Sequence, residues 1–251
     1  SARRAVPQVT DHDAEWFESW FGEDYIALYP HRDVAEAKKA IDLIAGILDG
    51  RKVRRALDLA CGPGRHARFL AERWWTSGTD LSEVLLRFAQ RTGVQAKLVR
   101  ADIRELPYRE SSFDLVVNLF TSFGYFETDD EHERVIRDLA RVIAPGGSFV
   151  IDFLNAQLVR RTLVPLDTKV VNGKQVEQRR EITSDGRFVV KHIHIGTGGR
   201  EFIERVRLFT DKELTALLEK SGFQIHHSFG DYDGGPLGAD TPRVILVARR
   251  N

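Results

Sequence analysis

Methionine is missing altogether from these 251 residues, and cysteine occurs once, at Cys61. One thiol excludes an internal disulfide framework and cannot alone build a thiolate metal site. No net charge is left over either, because 37 basic residues balance 37 acidic ones. A chain without a basic field has little to draw it to nucleic acid or an anionic membrane. No apolar run approaches the ~18 residues that mark a membrane-spanning helix, and no signal-peptide pattern opens the sequence. A soluble, cytoplasmic protein without nucleic-acid or membrane partners is therefore expected, working as a monomer or homodimer. The missing methionine points to a trimmed or altered chain and carries no functional message.

What is present is a strand–helix alternation. Residues 13–48 read as two helical segments, with Trp16, Phe17, Trp20 and Phe21 giving the first a thick apolar face. Strands are expected at Ala56–Ala60, Trp74–Thr79, Ala96–Ala101, Phe113–Leu119 and Ser148–Phe153. Helices fall between them at about 65–73, 82–92 and 129–143, the last stopped by "APGG". This order implies parallel strands joined by right-handed crossovers, an α/β doubly wound sheet. Residues 166–209 differ: Asn172-Gly173, Ser184-Asp185-Gly186 and Gly198-Gly199 separate β-rich runs, the mark of an inserted antiparallel meander of about four strands. A helix at Asp211–Ser221 and strands at Phe223–Phe229 and Arg243–Ala248 complete the pattern. The expected domains are an N-terminal helical lid (1–50), a cofactor-binding core (51–165 and 210–251) and the β insertion (166–209).

In such sheets ligands bind outside the carboxyl ends of the strands. The first strand ends in "LDLACGPGRH", a glycine loop entered from Asp58; the second ends at Asp80, the third at Asp102, the fifth at Asp152. The first three acids recur every 22 residues, one βα unit each. Helix capping is the competing reading for any one of them. Together with the glycine loop they suggest more. Asp80 is placed to accept ribose hydroxyls, which suits a nicotinamide dinucleotide or an adenosyl cofactor alike. Asp102 followed by Ile103 could read an adenine amine and face. Asp58 adds negative charge at the loop, which repels a pyrophosphate and favours an ammonium or sulfonium. The phosphate-free cofactor is preferred. A nicotinamide-dependent oxidoreductase and a cofactor-binding protein without turnover are the alternatives.

Here the chain resembles a family, the class I S-adenosylmethionine-dependent methyltransferases of the small-molecule branch. The resemblance rests on "ALDLACGPGRHARFLAE", "GTDLS", "RADIRELPYRESSFDLVVNLFTSFGYF", "RDLARVIAPGGSFVIDFLN" and "LFTDKELTALLEKSGF". It implies a Rossmann-like seven-stranded sheet of order 3-2-1-4-5-7-6 with strand 7 antiparallel, and S-adenosylmethionine as cofactor. By position, Ala60, Gly62 and Gly64 would offer backbone to its methionine part and Asp58 would lie near its amino group. Asp80 would hold the ribose, Leu81 the adenine edge, Asp102 and Ile103 the adenine. Asn118 and Leu119 would line the floor. Relatives also suggest a lid in which Tyr25, Tyr29 and Arg32 approach the cofactor carboxylate. "AERWWTSGTD" departs from the family pattern, with Trp74 and Trp75 where a glycine and β-branched residues are usual.

The acceptor is expected to be a small molecule methylated at N or O. Phe120, Phe123, Tyr125 and Phe126 could wall its pocket and favour a cation by their π faces, packing in the core being the plainer role. Methyl transfer is a proximity reaction, so no catalytic residue need exist. His194, His227 and Tyr232 are the candidates if a base is used. His192 and His194 share a strand face, but no third ligand is evident, and no metal is expected.

Overall fold

The computed structural model describes residues 15–29, 34–196 and 198–251. At its centre lies β1 (Arg55–Leu59), in which Ala56, Leu57 and Leu59 are at most 1% exposed. A strand apolar on both faces must be covered on both, which fixes it mid-sheet between helical layers. β2 (Trp75–Asp80) and then β3 (Lys97–Arg100) extend the sheet on one side, β4 (Phe113–Asn118) and β5 (Ile143–Leu154) on the other, all parallel. β11 (Arg243–Arg250) enters antiparallel between β5 and β10 (Phe223–Phe229). Numbered by core strands alone, this is the expected order 3-2-1-4-5-7-6 with the seventh reversed.

The insertion is a separate meander of four antiparallel strands, β6 (Leu166–Val171), β7 (Lys174–Ile182), β8 (Phe188–Ile195) and β9 (Arg200–Arg207). Asn172 and Gly173 make its first turn with φ of 50° and 75°, the left-handed pair that a two-residue hairpin requires. Among the helices, α6 (Asp129–Val142) and α8 (Asp211–Lys220) start at reciprocal capping boxes, Thr128 with Glu131 and Thr210 with Glu213. α4 (Arg65–Ala71) and α5 (Glu83–Arg91) cover the β1–β3 half, and α3 (Val34–Ile47) packs against α4 and shares an apolar cluster with β1, β4, β5 and β11.

Three details differ from expectation. The first helical segment is two short helices, α1 (Trp16–Trp20) and α2 (Glu23–Leu28), broken where Gly22 is extended. Ala144-Pro145-Gly146-Gly147 does not stand between helix and strand but forms the opening of β5, as a bulge opposite Phe113–Leu115. A Cβ on Gly147 would fall 2.7 Å from the Ile143 side chain, so only glycine fits that fold-back. A short helix, α7 (Ala156–Thr162), stands where the sequence pattern predicts no element; Asn155 caps it. Trp74, just before β2, packs on the apolar cluster beneath α3, whereas Trp75, the first residue of β2, is 53% exposed.

Trp16, Phe17, Trp20, Tyr25 and Leu28 belong to the main apolar core rather than to a cover laid over it. α1 rests on β9: the Trp20 ring lies 4.7 Å from that of Phe202, and its Nε1–H donates to Glu204 at 2.7 Å. No described helix is long and apolar enough to cross a membrane.

Candidate functional site

The chain leaves β1 through a loop in which alternate residues are left-handed: Ala60 at φ 55°, Gly62 at 53° and Gly64 at 78°. The two glycines serve different ends. A Cβ at Gly64 would lie 2.9 Å from Val94 and 3.1 Å from Ala89, so this glycine lets the loop close against α5. It is not among the residues lining the cavity beside the loop. Gly62 does line it; a Cβ there would meet only Leu85 at 3.8 Å, and its N–H donates to Asp80 Oδ2 at 2.8 Å. Ala60 also faces the cavity.

The strand-end acids take three distinct states. Asp80 is buried, receives Gly62 N–H and, on Oδ1, Ser82 N–H at 2.8 Å, and lines the cavity; burial pushes its carboxyl up. Asp58 is sealed under the loop. Desolvation raises its pKa to about 7, the Ala67 N–H and Arg65 opposing and Asp80 reinforcing the rise. Its Oδ2 is buried without a hydrogen-bond partner. Two adjacent buried carboxyls make the loop a negative site, which a cationic ligand would relieve and a pyrophosphate would aggravate. That orphaned acid is the feature that fits S-adenosylmethionine. Asp102 lines the cavity but is already forked by Arg104, whose Nε lies 3.1 Å from Oδ1 and Nη2 2.6 Å from Oδ2, while its backbone N–H reaches Oδ1 at 2.8 Å. Glu15 and Glu131 complete the ring of acids around that guanidinium.

These groups border a cavity of about 490 Å³ whose lining also includes several aromatic residues. Leu81, Ile103, Leu119, Phe120, Tyr125 and Phe126 line it, and Tyr25 reaches it from α2. Phe17 and Phe21, which sequence reasoning assigned to the core, line it too: Phe21 stacks on Tyr125 at 5.7 Å and Phe17 meets Phe126 edge-on at 6.0 Å. Other candidates lie elsewhere. Asn118 is fully buried and donates from Nδ2 to Leu59 O at 2.9 Å, tying β4 to β1 below the floor. Phe123 is 1% exposed and packs on His132 and Phe209. Tyr29 turns to the inserted sheet, where Lys191 Nζ donates to its hydroxyl at 3.2 Å. Arg32 lies outside the described residues.

Phe120 lines the cavity, yet its ring is not a free cation receptor. Arg65 Cζ sits 4.2 Å and Arg243 Cζ 5.2 Å from the ring centroid. The candidate bases are also displaced. His194 is half exposed and faces Glu201 at 3.3 Å, and His227 is exposed on β10 beside Phe229. Tyr232 donates its hydroxyl to Asp152; burial above all, reinforced by the Asp152 charge, pushes its pKa up and keeps it protonated, which removes it as a base. None of the three lines the cavity. Two residues that do, Arg65 and His66, were overlooked; they open α4 directly after the glycine loop, and that position was the signal.

Comparison with known proteins now adds to the geometry. A methyltransferase domain model matches residues 56–147. A dTDP-4-amino-2,3,4,6-tetradeoxy-D-glucose N,N-dimethyltransferase from Saccharopolyspora spinosa is 30% identical over 235 residues, covering 86% of each chain. A dTDP-3-amino-3,4,6-trideoxy-alpha-D-glucopyranose N,N-dimethyltransferase from Streptomyces venezuelae is 27% identical, over 86% of this chain and 89% of that one. In fold, an S-adenosylmethionine-dependent methyltransferase from Clostridium acetobutylicum superposes with a TM-score of 0.78 at 19% identity, covering 91% of this chain and 98% of that one. The nicotinamide reading is thereby set aside, and the glycine loop, the acids beside it and the sheet order have one common account: the chain belongs to the class I S-adenosylmethionine-dependent methyltransferases.

Proposed function

We propose that the protein methylates an amino nitrogen of a small molecule, with nucleotide-linked amino sugars as the acceptor class. What supports this reading is the reach of the similarity to the S. spinosa dimethyltransferase, which extends well beyond the cofactor end of the sheet into parts that shape the acceptor side. When bound, S-adenosylmethionine supplies a methyl group on a sulfonium for in-line displacement. The chain's own task is to align the nitrogen and exclude water. Phe17, Phe21, Tyr125 and Phe126 provide the dry wall. A neutral amine attacks through its lone pair and sheds its proton afterwards, so no resident base is required. The two guanidinium groups over Phe120 fit this, since they disfavour a cationic acceptor and leave a neutral one untouched.

On the cofactor side, we assign Asp80 to the ribose, Leu81, Asp102 and Ile103 to the adenine, and Ala60, Gly62, Leu119 and Tyr25 to the methionine part. Asp58 acts from beneath the loop through its field, while Gly64 and Asn118 serve by shaping the backbone. A cytoplasmic enzyme, monomeric or homodimeric, goes with this reading. The test is to incubate the protein with S-adenosylmethionine and a set of dTDP-amino sugars and to follow mass gain of one or two methyl groups. Methylation of at least one is expected. Tight S-adenosylhomocysteine binding with no amino sugar methylated would overturn the acceptor class while leaving the cofactor in place.

A further inference from the structure

The turn after β4 runs against local preference. Phe120 and Thr121 are both left-handed, at φ 66° and 59°. That region is disfavoured for any side chain and most of all for a β-branched one. Three side chains from beyond β4 oppose this tendency. Asp152, at the end of β5, is 0% exposed. Its Oδ1 accepts Arg243 Nε and its Oδ2 accepts Arg243 Nη2, each at 2.6 Å. Oδ2 also accepts the Tyr232 hydroxyl and the Phe120 N–H, the latter at 2.8 Å, and the Asp152 carbonyl accepts Thr121 N–H at 3.0 Å. Both N–H groups of the left-handed pair are thus satisfied by one residue. Arg243 Nη2 stands 3.4 Å from Thr121 Oγ1.

The sheet itself does not need this cluster. β5 and β11 are already joined from Ser148–Arg249 to Leu154–Arg243 by continuous backbone pairing. A buried ion pair is also an inefficient way to add stability, since an apolar pair of similar volume often serves as well. What the cluster alone supplies is the shape of the turn, and the turn aims Phe120 and Ser122 into the cavity. We infer that Asp152, with Arg243 and Tyr232, is a positioning unit for the acceptor wall. It holds the Phe120–Thr121 turn in a conformation the turn would otherwise leave. The inference rests on the proposed reading only in placing the acceptor on the β4 side of the cavity.

The test uses Asp152→Asn, the milder Tyr232→Phe, and each combined with Thr121→Gly, all in the full chain. Three quantities are read: S-adenosylhomocysteine affinity, kcat and KM with a dTDP-amino sugar, and the crystal structure of the turn. Asp152→Asn is expected to lower kcat at least tenfold, keep S-adenosylhomocysteine affinity within threefold, and release Phe120 and Thr121 from the left-handed region. Tyr232→Phe should act in the same direction, about threefold, because it removes one hydrogen bond of the cluster. Thr121→Gly should restore at least threefold of the lost kcat, since glycine takes the left-handed conformation without penalty. A parallel fall in cofactor affinity, no rescue by Thr121→Gly, or an intact turn in the Asp152→Asn crystal would each overturn the inference. Should Asp152→Asn not fold, the Tyr232→Phe pair decides by the same criteria. If the wild type methylates no amino sugar, the acceptor reading fails, and the variant crystal structures alone decide the positioning role.

Discussion

Two sides of one cavity are built by different means. The side proposed for the cofactor comes mainly from one stretch, Asp58 to Ile103, in which the ends of three successive strands each bring an acid to the same edge, with Tyr25 and Leu119 added from outside it. The side proposed for the acceptor combines Phe17 and Phe21 of the N-terminal helices with Phe120, Tyr125 and Phe126 after β4, where Asp152 and Arg243 from two further strands bond to the turn. The first is a repeated local unit whose chemistry stands next to its scaffold. The second is a long-range assembly whose residues owe their position to packing.

The sharpest way to break this contrast is to ask whether the N-terminal helices are a detachable cover. Trp20 is 0% exposed and bridges α1 to the inserted sheet through Phe202 and Glu204. Trp20→Ala should destabilise the protein by about 3–5 kcal/mol, the range for truncating a buried large aromatic. Chemical denaturation measures it. A loss under about 1 kcal/mol would mean that α1 is a lid resting on a complete core.

On the cofactor side, Asp80→Ala should weaken S-adenosylhomocysteine binding by about 1.5–3 kcal/mol, the range for losing hydrogen bonds to a charged group. Calorimetric titration gives the number directly. Unchanged affinity would take Asp80 out of the site and reduce it to a cap for Gly62 and Ser82.

How much of this was legible follows the same division. The sheet order, the four-strand insertion and the Asp58, Asp80 and Asp102 strand ends could be read because period, turn chemistry and spacing are local signals. The aromatic helices could be recognised as apolar but not located, since nothing in Trp16 to Phe21 says that Phe17 and Phe21 face a cavity while Trp20 faces β9. Asp152 was visible as a strand-end acid, yet its partners Tyr232 and Arg243 lie some eighty and ninety residues onward, a distance no spacing rule covers. The candidate bases His194 and His227 draw attention by chemistry alone, and the fold puts both outside the cavity.

Acid–base linkage sharpens the cofactor side further. Asp58 has a folded pKa of about 7 against an ordinary 3.8, so the native protein binds more protons than the unfolded chain between those values. Stability from this group is therefore highest at the acidic end of the window and falls as pH rises through it. A bound ammonium favours the ionised carboxylate, so S-adenosylhomocysteine should bind about tenfold more tightly at pH 8 than at pH 6, as expected for one linked proton. Asp58→Asn should flatten that dependence. A wild-type affinity equal at both pH values would show that the field of Asp58 does not reach the ligand.

The smallest effect is expected where an outward-facing histidine can be removed. His194 lies on β8 opposite Glu201, with its side chain 42% exposed and its ring outside the cavity. Its exposed contact with Glu201 is screened by water and adds little to stability. His194→Ala should change unfolding free energy by no more than about 0.5 kcal/mol, as for other surface sites, and leave kcat/KM within about twofold. The result bears on the whole acceptor side. If turnover collapsed while S-adenosylhomocysteine affinity and stability held, the exposed face of the inserted sheet would have to meet the acceptor. The cavity wall would then extend from the aromatic rings across β8, and the assembly would be larger than the residues around Phe120 define.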